Sequence, residues 1–100
     1  MSECLFCAIA SGDIPADIVL SDDDVVAFRD ITPQAPVHVL VIPRAHHANV
    51  ADLATADPAL TGALLRAAGA VAAQEGIADS GYRIVTNTGE GAGQSVHHIH

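Results

Sequence analysis

The sequence predicts an α+β domain built on a mostly antiparallel sheet of five strands, with one short and one long helix. Three observations carry that expectation. Short β-branched runs are separated by turn residues. A single long segment repeats its apolar residues at helical spacing. The order of a short helix, three strands, a long helix and two strands keeps the two kinds of element apart, as α+β folds do.

Cys4 to Ala10 reads as the short helix, closed by Gly12, with Phe6, Ile9 and Ala10 on its apolar side. Ile14-Pro15 leads into strand one, Ile18 to Leu20, and the acidic turn Ser21-Asp22-Asp23-Asp24 returns the chain as strand two, Val25 to Phe28. Pro33 and Pro36 fix the following loop. Strand three runs from Val37 to Ile42 and is stopped by Pro43, with His38, Leu40 and Ile42 on one face. Asp57-Pro58 begins the long helix, because Asp caps free N–H groups and Pro suits the first helical position. Leu60, Leu64, Ala67, Ala68 and Val71 form its apolar stripe, and Gly76 ends it after Glu75. Tyr82 to Thr86 is strand four, Asn87 to Gly93 a turn, and Ser95 onward strand five.

One hundred residues make a single domain, 1–100, able to bury a core. Only Phe6, Phe28 and Tyr82 are aromatic, so that core is aliphatic and packed with small residues. The net charge is −8, with four arginines and no lysine. Nucleic acid binding needs a basic footprint and is excluded, as is a phosphate loop that depends on lysine. A small-molecule ligand is expected instead, with any anionic group held by backbone N–H groups, histidines and hydroxyls. The most apolar stretch, Ala63 to Ala73, contains Arg66 and is far too short to span a membrane. Met1-Ser2-Glu3 shows no secretory pattern, so a cytoplasmic protein is expected.

The chemistry concentrates at two places. Cys4 and Cys7 form a C-x-x-C pair, which in a cytosolic setting points to a metal or to redox work rather than a structural disulfide. A thioredoxin-like motif wants a strand before it, and only three residues precede this one. At the other end, His98 and His100 fall on one face of a strand, with Cα atoms roughly 6–7 Å apart. Two imidazoles so placed, after a glycine-rich turn, suit a metal or a phosphate. An affinity tag fits less well, since Ser95, Val96 and Ile99 belong to a strand. Gly89-Glu90-Gly91-Ala92-Gly93 precedes a strand rather than a helix, so it is not a dinucleotide loop. Taken alone it reads as a hairpin loop; with Asn87, Ser95 and the histidines beside it, it can aim N–H groups at an anion. His38 alone reads as a hydrogen-bonded core histidine, and Asp30 alone as a turn organiser.

Two blocks change that balance. Asp30-Ile31-x-Pro33-Gln34-Ala35-Pro36-x-His38-x-Leu40-Val41-Ile42-Pro43 and Gly93-Gln94-Ser95-Val96-x-His98-Ile99-His100 resemble histidine-triad (HIT) proteins of the Hint branch, and Cys4 and Cys7 its bacterial C-x-x-C type. The resemblance covers essentially the whole chain. It implies a nucleotide-binding fold whose sheets join across a homodimer, and hydrolysis at the α-phosphorus of a purine nucleoside phosphoramidate or related ester. His100 matches the family nucleophile, His98 the first triad histidine and His38 a further histidine assisting proton relay. Asn87, Gly93, Gln94 and Ser95 match the phosphate-binding segment. Asp30 matches the acceptor for ribose hydroxyls, and Phe6, Ile9, Ile14 and Ile31 the walls around the base. The third triad histidine would fall two residues beyond His100, where the sequence stops. Turnover below that of a chain carrying this third histidine is therefore expected, with a nucleotide-binding or scaffold module as the alternative.

The same resemblance implies structural zinc. Cys4, Cys7, His46 and His98 supply two soft and two borderline ligands, sufficient for a tetrahedral site. His46 matches the third ligand of related C-x-x-C proteins, and His47 is its competitor. The dimer interface is expected on the helix from Pro58 to Glu75 and on strand four; closed two-fold pairs are the commonest assembly.

Overall fold

Cys4 begins the first helix by folding its own side chain back. Its Sγ accepts from the Cys7 N–H, so the residue caps α1 (Leu5–Ser11), and Gly12 closes the helix in the left-handed region at φ 85°. The computed structural model describes residues 4–100; the reading made on Met1-Ser2-Glu3 lies outside them.

Strands β1 (Ile18–Ser21), β2 (Val25–Arg29) and β3 (Val39–Pro43) form an antiparallel meander in that order. The first turn is built by Asp22, whose Oδ1 accepts from the N–H groups of Asp24 and Val25, both at 2.8 Å. Those two donors hold its carboxyl below the usual carboxylate range. The central strand is buried on both faces. Val26 and Phe28 stand opposite Ile42 and Leu40 and pack with Phe6 of α1 on one side. Val25 and Ala27 point the other way, toward α3 (Pro58–Gln74), which lies across all three strands. Burying each of the large aliphatic or aromatic side chains of this core contributes about 1.5–3 kcal/mol.

The long helix begins as the sequence predicts: Asp57 Oδ1 accepts from the Leu60 N–H at 3.0 Å, with Pro58 at the first position. A further helix, α2 (Val50–Ala56), precedes it and has no counterpart in the sequence reading. Asn49 caps it by accepting from the Asp52 N–H at 2.9 Å. The helix is only seven residues long, three of them alanine, and Leu53 alone is buried, so it is too short for an apolar stripe to repeat and announce it.

The five-stranded sheet is corrected to three strands among the described residues. Strand pairing needs backbones about 4.8 Å apart. Val39 and Val41 instead line a cleft of about 750 Å³ together with Tyr82, Ile84 and Val85, and residues 82–86 are not in a strand. The last segment bends over 96–98 and builds no ladder: its Ile99 N–H donates to the His47 carbonyl at 2.8 Å, and the His100 carbonyl accepts from the Thr86 hydroxyl, a side chain, at 2.9 Å. No described helix is long and apolar enough to cross a membrane.

One ion pair locks the end of α3 to the sheet. Arg29 grips Glu75 with both terminal nitrogens, the second bond at 3.0 Å, and the Glu75 side chain is 11% exposed. The guanidinium holds the Glu75 carboxyl below its ordinary range. A carboxylate that ionises more easily folded than unfolded binds fewer protons in the native state. Its contribution is therefore complete above the unfolded value and is lost as pH falls through the lower folded one. Glu75→Gln is expected to lower the urea midpoint at neutral pH and to flatten its fall on acidification. Urea midpoints that fall in parallel for both proteins from pH 7 to pH 3 would contradict this assignment.

Candidate functional site

Four ligand atoms converge where α1, the segment after β3 and the last residues of the chain meet. Cys4, Cys7, His46 and His98 place their donor atoms all within 4.8 Å of one another. His98 Nδ1 lies 3.3 Å from Cys4 Sγ, 3.5 Å from Cys7 Sγ and 3.2 Å from His46 Nδ1, while Cys7 Sγ and His46 Nδ1 are 3.4 Å apart. Bond lengths of about 2.0–2.3 Å around a tetrahedral ion put neighbouring ligand atoms roughly 3.3–3.8 Å apart, so this spacing fits zinc.

The protons fit as well. His98 is fully buried, and its Nε2–H donates to the Pro43 carbonyl at 2.8 Å. In the neutral ring Nδ1 then carries the lone pair, aimed at the cluster. Burial pushes the His98 imidazole below its usual range, against the opposing Pro43 bond, so the ring is held in the neutral form that a metal needs. Of the two candidate third ligands, His46 joins the cluster; the neighbouring His47 uses its carbonyl to accept from Ile99.

The sequence assigns His98 to both metal and catalysis. Its two ring nitrogens are engaged as described, and what it offers His100 is its carbonyl, which accepts from His100 Nδ1–H at 2.8 Å. That bond leaves the lone pair of His100 on Nε2, and the ring stands edge-on to Phe6 at a centroid distance of 5.0 Å.

The large cleft beside β3 gathers Asp30, His38, Asn87 and His100. His38 Nδ1 accepts from the Gln34 N–H at 2.9 Å, so its proton sits on Nε2, 3.3 Å from Asp30 Oδ2. Asp30 also accepts from the Thr32 N–H at 2.8 Å through its other oxygen. The remaining expected residues lie outside the lining of this cleft. Phe6 is in the core and Ile9 packs against it. Ile14 is exposed, and Ile31 stands 98% exposed on its loop. Gly93 closes a 3-10 turn over Glu90–Ala92 at φ 84°. Ser95 opens toward a smaller pocket beside Cys4 and His46 rather than into the large cleft.

Gln94, expected in the phosphate-binding segment, turns inward instead. It is buried, and its carboxamide is spent on the chain itself. Oε1 accepts from the Gly89 N–H at 2.8 Å; Nε2 donates to the carbonyls of Ala48 at 2.6 Å and Val96 at 3.0 Å. Its side chain ties the glycine-rich loop to the segment just after His46 and His47.

The HIT domain profile matches residues 11–100. The chain belongs to the HIT domain family. Among HIT relatives, it is 46% identical over 98 residues to the purine nucleoside phosphoramidase of Escherichia coli, covering 98% of this chain and 82% of that one. It is 46% identical to a 14 kDa zinc-binding protein of Brassica juncea, over 98% of this chain and 88% of the relative. Among solved structures, the HIT family hydrolase of Legionella pneumophila superposes with a TM-score of 0.93 at 47% identity, covering 97% of this chain and 87% of that one. The α+β HIT fold and the hydrolase family expected from the two histidine blocks are both borne out.

Proposed function

We propose that this HIT hydrolase binds purine nucleotides and cleaves nucleoside phosphoramidates or related esters at the α-phosphorus. The observation that carries the reading is the orientation of His100, whose Nδ1 proton is committed to the His98 carbonyl. A neutral imidazole so held presents Nε2 as the nucleophile near pH 7. Nε2 attacks phosphorus and the P–N bond to the amine breaks; the amine leaves with the bonding pair and takes up a proton. Water then adds to phosphorus, the P–Nε2 bond breaks, and the nucleoside monophosphate departs with His100 restored. His38, oriented by the Gln34 N–H and Asp30, lines the same cleft and is assigned the proton relay. In this reading Asp30 and Asn87 face ribose and phosphate, while Phe6, Ile9, Ile14 and Ile31 belong to the base-binding side. Gly93, Gln94 and Ser95 shape the loop beside them. The name of the Escherichia coli relative supports the substrate class.

Cys4, Cys7, His46 and His98 would hold zinc, as the naming of the Brassica relative also supports. The ion would supply structural cross-linking rather than chemistry at the substrate. Thiols kept as ligands suit a reducing compartment, in line with a cytoplasmic location.

The decisive experiment compares AMP affinity with hydrolysis of adenosine phosphoramidate. Both are expected; AMP binding without hydrolysis would reassign the protein as a nucleotide-binding module. We also propose a two-fold homodimer through α3 and the 82–86 segment, where Leu65, Tyr82, Ile84 and Val85 are exposed. Light scattering at micromolar concentration should give twice the chain mass of 10.2 kDa, and a monomer would refute it.

A further inference from the structure

We infer that Arg44 is a positioning residue for the Cys4–Cys7–His46–His98 centre, holding α1 and the two histidine-bearing segments in register; the inference rests on the metal reading above. Arg44 occupies the bend just past β3. All three guanidinium nitrogens donate to main-chain or hydroxyl oxygens: Nη1 to the Ala10 carbonyl at 2.6 Å, Nη2 to Ser21 Oγ at 2.7 Å and Nε to the Asp22 carbonyl at 2.8 Å. Its backbone N–H donates to the Asp24 carbonyl at 2.9 Å. Among the described residues it forms no ion pair, unlike Arg29.

The acceptors explain why the residue bears on the centre. Ala10 lies in the last turn of α1, where carbonyls lack helical partners and a cation is favourable. That helix has seven residues, too few to be stable alone, yet it carries Cys7 and is capped by Cys4. Its position must therefore come from docking. Phe6 anchors one side in the core, and Arg44 ties the far end to the β1–β2 turn.

The same residue fixes the other ligands through its neighbours. Pro43, one position before it, gives the carbonyl that sets the orientation of His98. His46 follows two positions later. A movement of Arg44 thus shifts the sulfurs of α1 relative to both imidazoles. Lysine cannot replace it, because a single ammonium cannot reach three acceptors spread across a planar fork.

The test is a cobalt and zinc titration of Arg44→Ala, Arg44→Lys, Ser21→Ala and, as a control, Arg29→Ala, read by sulfur-to-cobalt charge transfer and chelator competition. Both Arg44 variants are expected to lose roughly 10–100-fold in metal affinity, as when a group supporting metal ligands is removed. At saturation their cobalt bands should match those of the parent, because the four ligands are unchanged. Ser21→Ala should lose less, and it carries the test with Arg44→Lys if Arg44→Ala does not fold. Arg29→Ala should lower the urea midpoint with affinity kept within about twofold, since its partner Glu75 lies at the end of α3. A parent protein without thiolate–cobalt bands would overturn the metal reading and this inference with it. A parent that binds, with Arg44 variants binding equally well or no worse than Arg29→Ala, would overturn the role of Arg44 alone.

Discussion

Replacing His100 by alanine is expected to cut hydrolysis of adenosine phosphoramidate by roughly 10³-fold or more, the scale seen when a covalent nucleophile is removed. The expectation follows from geometry rather than from the presence of histidine alone. The His98 carbonyl fixes the proton on Nδ1 and leaves the ring's lone pair on Nε2, the atom proposed to attack. AMP affinity should change by only a few-fold, because the cleft also contains Asp30, His38 and Asn87. Mass spectrometry of the acid-sensitive adduct, quenched early, should place the nucleotidyl group on His100 in the parent and find none in the variant. A His100→Ala protein that hydrolyses at the parent rate would remove His100 from the nucleophile's role.

Substituting Cys4 by serine is expected to lower zinc affinity by more than about 100-fold, beyond what loss of a supporting group costs. Cys4 Sγ does two things in the fold: it approaches His98 Nδ1 at 3.3 Å and accepts from the Cys7 N–H at the start of α1. A serine oxygen can still cap the helix. Metal loss in Cys4→Ser therefore reports on the ligand and not on helix formation. Metal analysis of protein purified without added metal is the direct measurement. Equal zinc in Cys4→Ser and parent, or none in either, would exclude the four-residue centre.

Much of the fold is legible because its signals are local. Asp57-Pro58 starts α3 where a side-chain cap and a proline at the first position require it. Gly12 ends α1, and the acidic turn before Val25 folds as a hairpin because Asp22 can bond two following N–H groups. The helix over Val50–Ala56 escapes because it is only two turns long, too short for its apolar residues to establish a period, and its clearest signal is the Asn49 cap on Asp52. The failures over 82–86 and from Ser95 are of a different kind. Their composition favours extended chain, but a strand exists only where another backbone lies alongside, and that is a tertiary fact. The site divides similarly. The C-x-x-C spacing pairs Cys4 with Cys7, but His46 and His98 lie far from them in sequence, and family likeness rather than spacing joins the four as a set. The role of Gln94 is illegible in sequence because a carboxamide can address a ligand or the chain, and only its three bonds to backbone atoms decide which.

Cys4 and His98 are separated by 94 positions along the sequence, yet their side chains lie 3.3 Å apart. An ion bonded to both would close the stretch from Cys4 to His98 into a ring. For a cross-link spanning a ring of this length, loop-closure theory gives about 4–5 kcal/mol, arising from conformations denied to the unfolded chain rather than from any new packing in the folded one. The benefit persists only while the ion stays attached during unfolding. A chelator present during denaturation should therefore both lower the midpoint and make the unfolded ensemble more expanded. Because ring entropy grows only with the logarithm of length, extending an exposed turn such as that around Glu90 would add little to the closure cost, about 0.6 kcal/mol for each doubling of the ring.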